Sequence, residues 1–94
     1  MRVDAGGGTG ATEVAALVRG AAAASVVVVI RPGLSPLDEA MLTAAIGPLA
    51  VERAPAGRVN AVLVRPDASE AAVEAAAGFL ETAASTTGQV LAVG

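Results

Sequence analysis

Ser25-Val-Val-Val-Val-Ile30 decides the architecture of this chain. Five consecutive β-branched residues follow the serine, and crowding at Cβ makes such a run a poor helix and a good strand. No polar residue alternates with them, so both faces of the strand are expected to be buried. Strands buried on both faces belong to parallel sheets covered by helices. Arg31-Pro-Gly33 ends the run.

Working outward, Ala11 to Ala24 places Val14, Leu17 and Val18 at helical spacing, after Gly6-Gly-Gly8 and Thr9. Met1 to Ala5 can add a short first strand, or residues 1–10 can form a flexible glycine-rich lead-in. On the carboxyl side, Ser35-Pro-Leu-Asp38 starts a helix: serine caps free N–H groups, proline suits the first helical position, and the acids favour the positive end of the dipole. This helix is expected to reach about Arg53, with Leu37, Met41, Leu42, Ile46 and Leu49 as its larger apolar residues. Pro48 removes one backbone bond to Ala44 and is expected to bend it. Arg58 to Val64 is the next strand, apolar apart from its arginine and Asn60. Asp67-Ala-Ser-Glu70 has a capping-box pattern and opens a helix through about Ala84, with Val73, Ala76, Ala77 and Leu80 on one stripe. Gln89 to Val93 is a last strand. Helical crossovers between doubly buried strands predict one α/β domain over residues 1–94, its three to four strands mostly parallel, with helices on both faces.

Composition narrows the function. Of 94 residues, 54% are hydrophobic but only 1% aromatic, so the core is built from small aliphatic side chains and favours stabilisation by a partner. The net charge is −3 and the six basic residues are scattered arginines, which argues against nucleic acid as a partner. Without Cys or His there is neither a disulfide framework nor an ordinary zinc site. Ala21 to Ile30 is too short to span a bilayer, and the amino terminus has no signal-peptide pattern, so a cytoplasmic location is expected.

Two further stretches are informative: Glu52-Arg-Ala-Pro-Ala-Gly-Arg-Val-Asn-Ala61 and Thr87-Gly-Gln-Val-Leu-Ala-Val93. They resemble the closing part of a short-chain dehydrogenase/reductase, where a long helix ends E-x-A-P-x-G, a strand begins R-V-N-A and the final strand begins T-G-Q-V. The resemblance runs from Ser25 to the end and implies a Rossmann-like, three-layer fold. It also implies a Tyr–x–x–x–Lys pair near the start of the long helix. Those positions fall here on Ser35 and Glu39, and the chain has no Tyr and no Lys. A serine hydroxyl has a far higher pKa than a phenol, and a carboxylate has the wrong charge to stabilise an alkoxide-like oxygen. The loop of the family's catalytic serine is shortened to Arg31-Pro-Gly-Leu34, and Val64-Arg-Pro-Asp67 stands where the family has Pro-Gly. The family's own chemistry is therefore excluded.

Gly6, Gly7, Gly8 and Gly10 resemble the family's glycine-rich nucleotide loop, in which backbone N–H groups approach a pyrophosphate. Thr12 replaces the last glycine, and a mobile lead-in competes with this reading. If the loop held NAD(P), Arg31 would be the residue to meet a 2′-phosphate. Asp38 and Glu39 read as dipole partners, Ser35 as a cap, and Asn60 as a buried structural amide.

The resemblance also implies association, because the family's long helix packs on its twin. Met41, Leu42, Ala45, Ile46 and Leu49 are the expected contacts, with Ala44 and Gly47 allowing close approach and Phe79 as a further contact. An edge strand as apolar as Val26–Ile30 would also need covering. Two functions follow: a non-catalytic domain that pairs with itself or with an intact dehydrogenase, or a minimal NAD(P)-binding module. The chain could also be a piece of a longer protein.

Overall fold

A computed structural model describes residues 1–94, in the order β1 (Arg2–Ala5), α1 (Ala11–Gly20), β2 (Ser25–Ile30), α2 (Pro36–Arg53), β3 (Arg58–Val64), α3 (Glu70–Thr82) and β4 (Val90–Val93). The four strands form one parallel sheet in spatial order β1-β2-β3-β4. This is the parallel α/β sheet that the valine run predicts and the Rossmann-like arrangement that the resemblance implies.

Alternation along β2 and β3 divides the core in two. Val26, Val28 and Ile30, level with Val59 and Ala61, pack under α1 and α2 against Val14, Val18, Leu42, Ile46 and Leu49. Val27, Val29, Val62 and Val64 face the other way and meet Val73, Ala77 and Leu80 of α3. Each buried Val or Leu side chain is worth about 1.5–3 kcal/mol of apolar transfer, so β2, buried on both faces, is the main stabilising element. The one aromatic, Phe79, lies outside both clusters and is 60% exposed.

The sheet advances in one direction, yet α1 and α2 lie on one face and α3 on the other. The β3–α3–β4 crossover therefore has the opposite hand to the first two. Right-handed crossovers make up about 98% of parallel connections. Something specific must hold the exception in place.

Several boundaries and placements differ from expectation. β2 is an interior strand, not an edge, so the edges are β1 and β4. Helix α1 stops at Gly20, where Arg53 takes up the Val18 and Ala21 carbonyls. Helix α3 is capped by Ser69, whose Oγ accepts from Ala72 N at 3.1 Å, rather than by Asp67, and it ends at Thr82. Helix α2 runs unbroken through Pro48, which sits on its exposed side. No helix is long and apolar enough to cross a membrane.

Ion pairs lash the layers together. Arg2 of β1 reaches Glu74 at 2.5 Å and Glu81 at 2.7 Å on α3, and Arg19 of α1 meets Glu52 of α2 at 2.8 Å. The hydrogen bond from Arg2 holds the Glu74 carboxyl below its ordinary pKa, and that from Arg19 does the same for Glu52. A carboxylate with a depressed folded pKa stabilises the fold above its unfolded pKa and loses that contribution as pH falls through the folded value. Stability is therefore expected to hold down to the ordinary glutamate value of 4.5 and to decline below it. Thermal melts from pH 7 to pH 2 check this; a melting temperature constant across that range would refute it.

Candidate functional site

The two motif stretches meet in one hydrogen-bonded clasp. Asn60, fully buried on the α3 side of β3, donates Nδ2–H to Thr86 O at 3.0 Å, and its Oδ1 accepts from Gln89 N at 3.0 Å. Thr87 Oγ1 accepts from Val59 N at 3.1 Å, and Gly88 N donates to Val59 O at 2.7 Å. Gly88 has φ 75°, the left-handed turn that lets the chain enter β4. Both ends of the asparagine amide are satisfied, which makes Asn60 structural.

Two arginines complete this framework. Arg53 donates from Nη1 to Val18 O and Ala21 O, each at 3.0 Å, and from Nη2 to Ala23 O, closing the carboxyl end of α1. Arg58 donates to Leu80 O at 3.1 Å, Ala83 O at 2.6 Å and Glu81 O at 3.0 Å, closing α3. Helix ends leave such carbonyls without partners, and a cation is favoured there. A β-carbon on Gly57 would lie 3.0 Å from Arg53 Nε and 3.2 Å from Ala24 O, so the glycine makes room for the arginine.

The carboxyl ends of the strands, where α/β folds place their ligands, carry the remaining candidates. Gly6 and Arg31 are brought together: a β-carbon on Gly6 would be 3.8 Å from Arg31 Cβ. Above Gly7, Gly8 and Gly10 there is open space. The Arg31 guanidinium, however, is engaged by Glu70 Oε1 at 2.5 Å and Asp4 Oδ1 at 3.3 Å. Partial desolvation pulls its pKa down, but the Glu70 hydrogen bond and the two acidic charges outweigh this and hold it raised. The glycine loop also follows an edge strand of a sheet whose order never reverses. A crevice for a dinucleotide forms where strand order reverses. The residues present therefore fit NAD(P) poorly.

Ser35 and Glu39 lie at the start of α2 beside an open recess of about 550 Å3, bounded by Leu34, Pro36, Ala40, Ala44 and Leu63. Ser35 Oγ accepts from Asp38 N at 3.1 Å and caps the helix. Glu39 is 4.0 Å from Arg65. Thr43 also lines the recess, its Oγ1 donating to Glu39 O at 2.8 Å, and no Tyr, Lys or His stands in it.

A family described as short chain dehydrogenase-like protein matches residues 4–93. The chain belongs to the short-chain dehydrogenase-like family. No curated protein and no solved structure matches it. In this member of the family, the shared motifs are the clasp and the helix closures.

The expected contact residues divide by helix face. Leu42, Ile46 and Leu49 are at most 2% exposed, so they belong to this chain's own core and are corrected out of any contact surface. Met41 and Phe79 are exposed and Ala45 is half-buried. The outward stripe of α2 is instead Leu37, Ala40, Met41, Ala44, Gly47, Pro48 and Val51, without a charged residue along it. Leu37 and Val51, 68% and 76% exposed, were not among the expected contacts. The 37–41–44–48–51 spacing was the available signal. The inward stripe, richer in Leu and Ile, has the same period and masked it.

Proposed function

We propose that this chain is a non-catalytic short-chain dehydrogenase-like domain that works by association, with itself or with a catalytically intact dehydrogenase of the same family. The observation that carries the reading is the outward stripe of α2. A surface helix ordinarily turns charged residues to solvent, and a helix apolar all round is a buried one. Seven uncharged residues in register along an exposed helix support its reading as a contact surface. The lost proton donor and cation agree with it, since selection for binding alone needs neither. Support by a partner also suits a core without aromatics.

Co-purification from the native cell under mild conditions tests this, together with light scattering of the isolated chain over a concentration series. Recovery of the chain with a copy of itself or with an intact dehydrogenase is the expected result. A monomer at tens of micromolar that brings no dehydrogenase with it would contradict the reading.

A further inference from the structure

We infer that the open edge of β1 is a self-association surface, where the strand pairs antiparallel with β1 of a second copy about a two-fold axis at Val3. This contact is separate from the α2 stripe and does not depend on it. Strand β1 ends the sheet, and on its inner side Val27 N donates to Met1 O and Arg31 N to Ala5 O. Backbone groups of alternate residues in a strand point to opposite sides, so Arg2 and Asp4 turn their N–H and C=O groups outward. A two-fold contact requires that residue i meet residue j while j meets i. The registers that bring outward groups together therefore set Arg2 on Arg2, Asp4 on Asp4, or Arg2 on Asp4. The first two place like charges directly opposite each other, which is unfavourable. The last places opposite charges together twice, uses both outward residues of each copy, and brings Val3 onto Val3.

Both faces of the strand agree. On the α3 face, Arg31 bridges Asp4 at 3.3 Å and Glu70 at 2.5 Å, while Arg2 holds Glu81 at 2.7 Å. In the paired register the signs alternate without a break, through Glu70, Arg31 and Asp4 of one copy to Arg2 and Glu81 of the other. Both new partners have capacity. Asp4 accepts only through Oδ1, and Arg2 bonds once through each nitrogen, leaving an N–H on Nη1 and another on Nη2. Charge guards a strand edge when it repels a second copy; here the two signs attract one. On the other face Val3 is buried under the helices, and Leu17 of α1 is 52% exposed. Val14 and Val18 turn to the sheet, and Ala11 and Ala15 line a groove shared with α2. Leu17 therefore projects from the opposite flank of α1, on the side of the open edge. Pairing of the edges covers it.

Asp4→Pro removes an outward N–H that the sheet does not use, and an edge strand accepts proline at such a position. It is expected to weaken the dimer at least ~100-fold, whereas Asp4→Ala, which keeps the N–H, weakens it only about 10-fold. Leu17→Lys is expected to weaken it about 10-fold as well. That variant spares the fold, since the side chain is exposed and Glu13 stands one turn before it. Sedimentation reads the association, with circular dichroism confirming folded chains. Opposed residues of a non-hydrogen-bonded antiparallel pair have Cα atoms about 4.5 Å apart, a separation that a disulfide spans. The wild type has no cysteine. Val3→Cys is thus expected to form an intermolecular disulfide on mild oxidation, and to form it equally when Ala44→Glu charges the α2 stripe. Should Asp4→Pro fail to fold, Leu17→Lys and the disulfide decide. A wild-type association indifferent to Asp4→Pro and Leu17→Lys, with no Val3→Cys disulfide, would overturn the inference and leave the α2 reading standing. A wild type still monomeric at about 1 mM would overturn it too, leaving only capture of an intact dehydrogenase through α2.

Discussion

Asn60→Ala is expected to lower the thermal unfolding midpoint by about 10–20 °C. The substitution removes both hydrogen bonds of a fully buried amide, leaving Gln89 N without its acceptor and Thr86 O with only a long contact from Arg58 Nη1 at 3.4 Å. Each stranded group costs about 1–3 kcal/mol, and 1 kcal/mol shifts a domain of this size by roughly 4–8 °C. The loss should be local in origin. Hydrogen exchange is expected to speed up first in the 86–93 segment, where the clasp turns the chain into β4, and last in β2. A variant melting within 2–3 °C of wild type would mean that Asn60 does not hold the crossover.

Arg53→Met is expected to cost about 2–4 kcal/mol, read as a lower urea midpoint with an unchanged slope. Methionine keeps most of the aliphatic stem, so the loss isolates the guanidinium and its bonds to Val18, Ala21 and Ala23 carbonyls. Arg53→Lys is expected to recover only part of it. An ammonium is a point charge and cannot span the carbonyls that the planar fork reaches together. Recovery of full stability by lysine would show that charge alone closes α1.

These two residues give the motif stretches a structural role of their own. Glu52 to Ala61 and Thr87 to Val93 are distant in sequence but form one hydrogen-bonded unit, and that unit fixes a crossover of the uncommon hand. Ser35 and Glu39, where the resemblance places Tyr and Lys, take no part in this unit: Ser35 caps α2, and Glu39 stands near Arg65.

How far the sequence could be read follows from the same physics. Strand β2 was legible because five β-branched residues in a row admit almost no other conformation, and Ser35 was legible as a cap because of its position before Pro36. The third helix start was less so: Asp67 and Ser69 both make good caps, and only the turn at Ala68 selects Ser69. Strand order is a global property, which is why β2 looked like an edge when taken alone. The proposed contact surface was half legible. Helix α2 carries two apolar stripes, and periodicity gives their spacing without saying which one meets the sheet. The ion pair of Arg31 was not legible: Glu70 lies 39 positions away in the chain, and no local pattern announces it.

The most direct test of a scaffold kept without its chemistry is a turnover assay on the purified chain. It uses reduced nicotinamide cofactor, a panel of aldehydes and ketones, and absorbance of the cofactor as the readout. No oxidation above the protein-free rate is expected with any substrate. A saturable rate proportional to protein concentration, persisting through purification to homogeneity, would contradict it.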